Sequence, residues 1–211
     1  MKPHPVWKFC QALCRVVTSC MFDLKVYGAH RVPSEGGVLI ISNHQSYLDP
    51  VLLGVRLPRP LSYMAKSELF GNRAFAWLIR SLGAFPVKQG AGDVGAMKET
   101  IARLHEGRAL NIFPEGSRTE NGELLPIEKG VGLVIRKARV PVVPVVIDGS
   151  YGAWPKGHKI FRPHPIRILY GHPLDLSSMD REQIIRTIGE HFASMFAELR
   201  EGRVPLDRRD R

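Results

Sequence analysis

The sequence predicts an α/β protein, a single domain with a mostly parallel or mixed sheet flanked by helices, plus an N-terminal helix that contacts a membrane. Three observations carry this. Apolar runs of strand length, such as "GVLIISN" at 37–43, are continuous rather than alternating, as in strands covered on both faces. Segments with apolar residues at helical spacing separate these runs, and such alternation builds a sheet flanked by helices. The chain's 211 residues, 44% hydrophobic and 24% charged, suit one domain with a substantial core.

Residues 5–22, "PVWKFCQALCRVVTSCMF", read as a helix with Pro5 near its start. Lys8, Gln11, Arg15, Thr18 and Ser19 interrupt its apolar residues, well short of the roughly 18 consecutive apolar residues that a span requires. No clear small-residue cleavage site follows, so a signal peptide is not expected. Trp7, Lys8 and Arg15 suit a helix lying in a membrane interface. The alternative is a helix that docks its apolar stripe on the protein's own core. Cys10, Cys14 and Cys20 show no metal-site or disulfide spacing and read as small apolar residues of a reduced, cytoplasmic protein.

The next elements follow in order. Residues 37–43 form a buried strand, and "LDPVLLGVRL" (48–57) a short helix with Pro50 tolerated in its first turn. "LSYMAKSEL" (61–69) contains a second strand. "FGNRAFAWLIRSLG" (70–83) is helical, ending near Gly83, and "AFPVK" (84–88) is a third strand. "DVGAMKETIARLHEG" (93–107) is an amphipathic helix capped by Asp93 and stopped at Gly107. "RALNIFPEG" (108–116) is a strand running into a turn, and "KGVGLVIRKARV" (129–140) a short helix. In "PVVPVVIDG" (141–149), Pro141 and Pro144 cannot donate to a ladder, which predicts an interrupted or edge strand. "IRILYG" (166–171) closes the strand set. Residues 178–200 are a long helix whose stripe of Ile184, Ile185, Ile188, Phe192, Met195, Phe196 and Leu199 faces the core. The organisation is an N-terminal segment 1–30, a main domain 31–200 and a basic tail 201–211.

The net charge of +10 points to an anionic partner. Part of it is terminal, since "REGRVPLDRRDR" (200–211) reads as a solubilising end. The remaining cations are dispersed, without a basic helix or aromatic-interleaved motif, which argues against nucleic acid.

Two short stretches carry the chemistry. In "SNHQSYLDP" (42–50), His44 stands just past a strand end, where α/β sheets bind ligands. Asp49, five residues on, can fold back to orient the imidazole and stabilise its protonated form. In "NIFPEGSRT" (111–119), Gly116 allows close approach of backbone N–H groups, and Arg118 offers a fork suited to phosphate.

Together, "NHQSYLDP" and "FPEGSRT" resemble the first and third motifs of the glycerophospholipid acyltransferase family, specifically the lysophosphatidate acyltransferases. "AKSELFGNRAFAWLIRSLGAFPV" (65–87) looks like the second block, and the Val-Pro-Val-Val-Pro-Val run at 140–145 like the fourth. The resemblance covers about residues 25–172. It departs at Lys88-Gln89, where many members close the second block with Arg; Lys88 keeps the charge but not the fork.

The resemblance implies acyl transfer from acyl-CoA or acyl carrier protein to the sn-2 hydroxyl of lysophosphatidate, giving phosphatidate. His44, oriented by Asp49, is then the general base. Glu115, Gly116, Ser117 and Arg118 bind the acceptor, and Lys66, at the end of the second strand, is a candidate for phosphate or oxyanion contact. No G-x-S-x-G elbow occurs, which favours direct attack by the acceptor hydroxyl over an acyl-enzyme. Neither cofactor nor metal is expected. The expected location is the cytoplasmic face of the cell membrane, peripheral or monotopic. The alternatives are the same chemistry on glycerol 3-phosphate, another lysophospholipid or an amino-acyl lipid, and, in another class, a non-enzymatic basic protein that binds membrane or nucleic acid.

Overall fold

Val38, Leu39, Ile40 and Ile41 are all fully buried, as a strand can be only when both faces of its sheet are covered. The structure, a computed structural model, describes residues 5–87 and 94–204. The described strands are β1 (Lys25–Tyr27), β2 (Val38–Ser42), β3 (Leu61–Lys66), β4 (Ala84–Val87), β5 (Ala109–Ile112), β6 (Val142–Asp148) and β7 (Arg167–Tyr170). The helices are α1 (Pro5–Phe22), α2 (Asp49–Gly54), α3 (Arg73–Ser81), α4 (Val94–His105), α5 (Gly130–Ala138), α6 (Ser150–Ala153) and α7 (Arg181–Arg200). The strands form one mixed sheet in the order β1-β7-β6-β2-β5-β3-β4. β6, β2, β5, β3 and β4 run parallel, β7 is antiparallel to β6, and β1 is parallel to β7.

Alternate residues of β2 feed two cores, as the period of a strand requires. Leu39 and Ile41 pack with Leu104 of α4, Val131 and Ile135 of α5, and Ile188 and Phe192 of α7. Val38 and Ile40 pack on the other face with Phe22 of α1 and Leu52 and Leu53 of α2. β2 therefore connects through a helix on one face and its neighbour β5 through a helix on the other. A crevice opens between such strands at their carboxyl ends. His44 and Glu115 follow those two ends.

β6 departs from the sequence expectation, being an inner strand buried over most of its length. Leu39 N donates to Pro141 O at 3.0 Å and Gly171 N to Pro144 O at 2.8 Å, so Pro144 faces away from β2. The β6–β7 ladder begins one residue later, with Val145 opposite Tyr170, so no ladder partner needs the amide that Pro144 lacks. Residues 25–27, placed in the N-terminal segment on sequence, form the edge strand β1, which is too short to show a pattern. Asp93, Lys88-Gln89 and residues 205–211 of the tail lie outside the described residues.

α1 docks on the domain with one face and leaves apolar residues exposed on the other. It buries Trp7, Thr18 and Phe22 against the domain. Gln11 Nε2 donates to Gly54 O at 2.9 Å and Leu57 O at 2.8 Å, and Arg15 Nε donates to Val55 O at 2.8 Å. These carbonyls end α2 and would otherwise need other donors. Arg15, expected to face lipid, thus holds α1 to the body. The outward stripe is apolar, with Phe9 70% exposed and Leu13, Val16 and Val17 exposed beside it. Among the described residues, no helix is long and apolar enough to cross a membrane.

Candidate active site

The chain leaves β2 through Asn43, whose amide substitutes for one more rung of the sheet. Its Nδ2 donates to Ile147 O at 2.9 Å, and its Oδ1 accepts from Ile147 N at 2.7 Å. That pairing fixes the start of the loop that carries His44. His44 Nδ1 lies 2.8 Å from Asp49 Oδ2. Asp49 opens α2 and is 0% exposed. The same Oδ2 accepts from Gln45 N and Ser46 N, each at 2.7 Å, which curls residues 44–49 into a tight turn. Its other oxygen, Oδ1, accepts from Ser150 Oγ at 2.6 Å.

The imidazole is also held by its face. It stacks on Phe113, with ring centres 3.9 Å apart and planes 13° apart. Asp49 favours the tautomer with the proton on Nδ1, which leaves the Nε2 lone pair as the basic site.

The second stretch leaves β5 and wraps around the first. Thr119 N donates to His44 O at 2.9 Å. Glu115, expected as an acceptor contact, instead directs both carboxylate oxygens at the protein's own backbone. Oε2 accepts from His44 N at 3.2 Å and Oε1 from Leu125 N at 3.3 Å. It is 5% exposed, and burial pushes its pKa up to about 7. Gly116, at φ +68°, turns the chain in a region that other residues rarely adopt, and with Ser117 it forms an exposed tip. Arg118 lies across Tyr47, its Cζ 3.4 Å from the ring centre. Its Nη1 is buried without a hydrogen-bond partner, a donor available to an anion.

Lys66 ends β3 at the same edge of the sheet, with β5 between it and β2. It is exposed, and no hydrogen bond links it to His44, Asp49, Glu115 or Arg118. The structure thus brings His44, Asp49, Glu115 and Arg118 together, with Lys66 two strands away from β2 at the same sheet edge. Among the described residues, no group of three or more His, Cys, Asp and Glu is placed to hold a metal ion.

Sequence reasoning did not find Gln45, Phe113, Tyr47 or Ser150. Ser150 follows Gly149, whose φ is +91° and where a Cβ would stand 2.1 Å from Pro165 O. A Gly-Ser pair after an apolar run marks a turn into a helix, but nothing local shows that the hydroxyl meets Asp49. Gln45 Nε2 donates to Gly122 O at 2.7 Å, and its Oε1 accepts from Tyr151 N at 3.3 Å and lies 3.3 Å from Ser150 Oγ. It thereby ties together the loops that follow β2, β5 and β6.

The family model described as Acyltransferase matches residues 23–148. The chain is 31% identical over 170 residues to the 1-acyl-sn-glycerol-3-phosphate acyltransferase of Bacillus subtilis (strain 168), covering 80% of this chain and 82% of that protein. It is 29% identical over 180 residues to the protein of the same name from Streptococcus pneumoniae (strain ATCC BAA-255 / R6), covering 83% of this chain and 65% of that one. The crystal structure of the 1-acyl-sn-glycerophosphate (LPA) acyltransferase, PlsC, from Thermotoga maritima is similar at a TM-score of 0.79 and 28% identity. That match covers 92% of this chain and 79% of the other.

Proposed function

The chain belongs to the acyltransferase family, and on that premise we propose that it transfers a fatty acyl group from acyl-CoA or acyl carrier protein to the sn-2 hydroxyl of lysophosphatidate, giving phosphatidate. The names of its relatives support the acceptor. The observation that carries the chemistry is the buried Asp49 carboxylate 2.8 Å from His44 Nδ1, which leaves Nε2 as the base.

The acceptor hydroxyl gives its proton to Nε2 as its oxygen bonds to the thioester carbonyl carbon. The tetrahedral intermediate then collapses, the C–S bond breaks, and the departing thiolate takes the proton back from Nε2. Asp49 stabilises the imidazolium between these steps. Arg118, with its unpaired Nη1, binds the acceptor phosphate and positions the hydroxyl. Lys66 is a weaker candidate for phosphate or oxyanion contact.

The outward apolar stripe of α1 supports peripheral attachment to a bilayer, where such an acceptor resides. The net charge of +10 favours the anionic cytoplasmic face. The test is an assay of purified protein in detergent, with both donors against a panel of acceptors. Lysophosphatidate is expected to be preferred, and His44→Ala is expected to lower kcat by at least about 10²-fold with the fold retained. Preference for another acceptor would overturn the substrate, and a near-wild-type kcat would overturn the base.

A further inference from the structure

The segment "WPKGHKIFRPHP" at 154–165, between α6 and β7, takes no part in the chemistry above. It is nevertheless firmly braced. Trp154 Nε1 donates to His158 O at 2.7 Å, Arg162 N to Ala153 O at 2.9 Å and Arg162 Nε to Gly152 O at 2.7 Å. A loop held out into water ordinarily ends in polar groups. This one ends in Ile160, which is 82% exposed, with Phe161 exposed beside it.

Phe161 belongs to a larger cluster of aromatic rings. The Phe161 ring is 6.1 Å from Phe22, at the end of α1, and 5.8 Å from Trp154. Trp154 is in turn 5.4 Å from Tyr47, the ring on which Arg118 lies. A chain of aromatic rings therefore runs from α1 to the phosphate-binding residue. Lys156, Lys159 and Arg162 flank it, and no acidic residue lies between 154 and 165. Lys156 pairs with Glu120, whereas Arg162 spends its Nε on a neutral carbonyl and keeps its net charge.

We propose that this loop is a second membrane-docking element, with Ile160 and Phe161 entering an anionic bilayer and Lys159 and Arg162 meeting its phosphates. Exposed aliphatic and aromatic groups ringed by cations are the chemistry of interfacial binding. Phe161 packs on the buried Phe22 that ends α1, so the exposed tip stands beside that helix on a firm footing. Docked there, the loop brings Tyr47 and Arg118 to the interface, so an acceptor's phosphate can reach Arg118 while its chain stays in lipid. That consequence rests on the lysophosphatidate reading; the docking does not.

Sedimentation of the full chain with vesicles of phosphatidylcholine and phosphatidylglycerol in equal parts tests this without acyl donor. Ile160→Asp combined with Phe161→Asp is expected to lower the partition coefficient by at least about tenfold, since buried apolar area sets interfacial affinity. Turnover of a short-chain, water-soluble acceptor should be unchanged. Phe161 touches Phe22 and Trp154, so Ile160→Asp alone provides a substitution outside the packed rings and should still weaken binding. Ile160→Trp gives a direct reading: relative to wild type, its emission should move to shorter wavelength on vesicle addition and be quenched by brominated acyl chains.

Unchanged partitioning of both Asp variants, or Ile160→Trp emission that vesicles leave unaltered, would overturn the proposal. So would conversion of a dimer to monomers by the same substitutions with vesicle binding intact, which would assign the patch to a second copy of the chain. Loss of docking at this loop would leave the acyl-transfer reading standing. Docking without transfer to lysophosphatidate would remove only that reading.

Discussion

Glu115→Gln tests the brace behind His44 through the pH dependence of stability. Burial raises the Glu115 pKa from 4.5 to about 7, so between those values the folded chain holds a proton that the unfolded chain has released. Raising the pH through that window therefore favours unfolding. The stabilisation is fully present below the unfolded value and is lost as the pH reaches the folded one. The shift corresponds to about 3 kcal/mol, an order-of-magnitude figure for a side chain 5% exposed. Gln cannot titrate. It also offers one acceptor where Glu115 offers two, to His44 N and Leu125 N, which subtracts a cost independent of pH. Urea unfolding of both proteins, followed by circular dichroism from about pH 4.5 to about pH 7.5, gives the difference in stability at each pH. Relative to wild type, the variant should gain about 3 kcal/mol across that range. A difference that stays flat would show that Glu115 titrates as an ordinary surface carboxyl, and the argument from burial would fail.

Three further outcomes can be measured with the acyl-transfer assay. Asp49→Asn removes the charge that fixes the His44 tautomer and should lower kcat by at least about 10²-fold; an unchanged rate would reduce Asp49 to a helix start. Ser150→Ala leaves Asp49 Oδ1 without its 2.6 Å donor. It should cost about 1–3 kcal/mol of stability and lower kcat more than it raises either KM, which a purely structural hydroxyl would not do. Arg118→Lys keeps the charge but loses the fork, so KM for lysophosphatidate should rise more than KM for the donor; the reverse would move Arg118 to the donor pocket.

The parts of the fold legible in the sequence were those where burial and periodicity agree. β2 announces itself because four consecutive apolar residues can all be buried only in a doubly covered strand. α7 does so through its apolar stripe, and its start carries a capping box from Asp180 and Gln183. β6 departs from its expectation because the cost of a proline depends on which edge of its strand is paired, and that depends on where β7 stops. His44 and Asp49 were legible because one tight turn over five residues brings them together locally. Ser150 was not, since its meeting with Asp49 spans 101 residues and depends on the order of β2 and β6 in the sheet. Glu115 shows the opposite limit: the motif identifies the residue, but only three dimensions show its oxygens turned inward.

The Asn43–Ile147 pairing has a consequence for hydrogen exchange. Ile147 N is 2.7 Å from Asn43 Oδ1, in a strand flanked on both sides and buried at that point. Its amide should therefore exchange with solvent only when the whole sheet opens, at the slow limit set by global unfolding. Because His44 is the next residue after Asn43, its imidazole is anchored beside the part of the molecule expected to open last. Arg118 follows the exposed Gly116-Ser117 tip, where amides exchange through small local openings. An exchange map should thus divide the site into a slow half that carries His44 and a fast half that carries Arg118; under the proposed function, this would let the lipid be admitted and released while the imidazole stays in register.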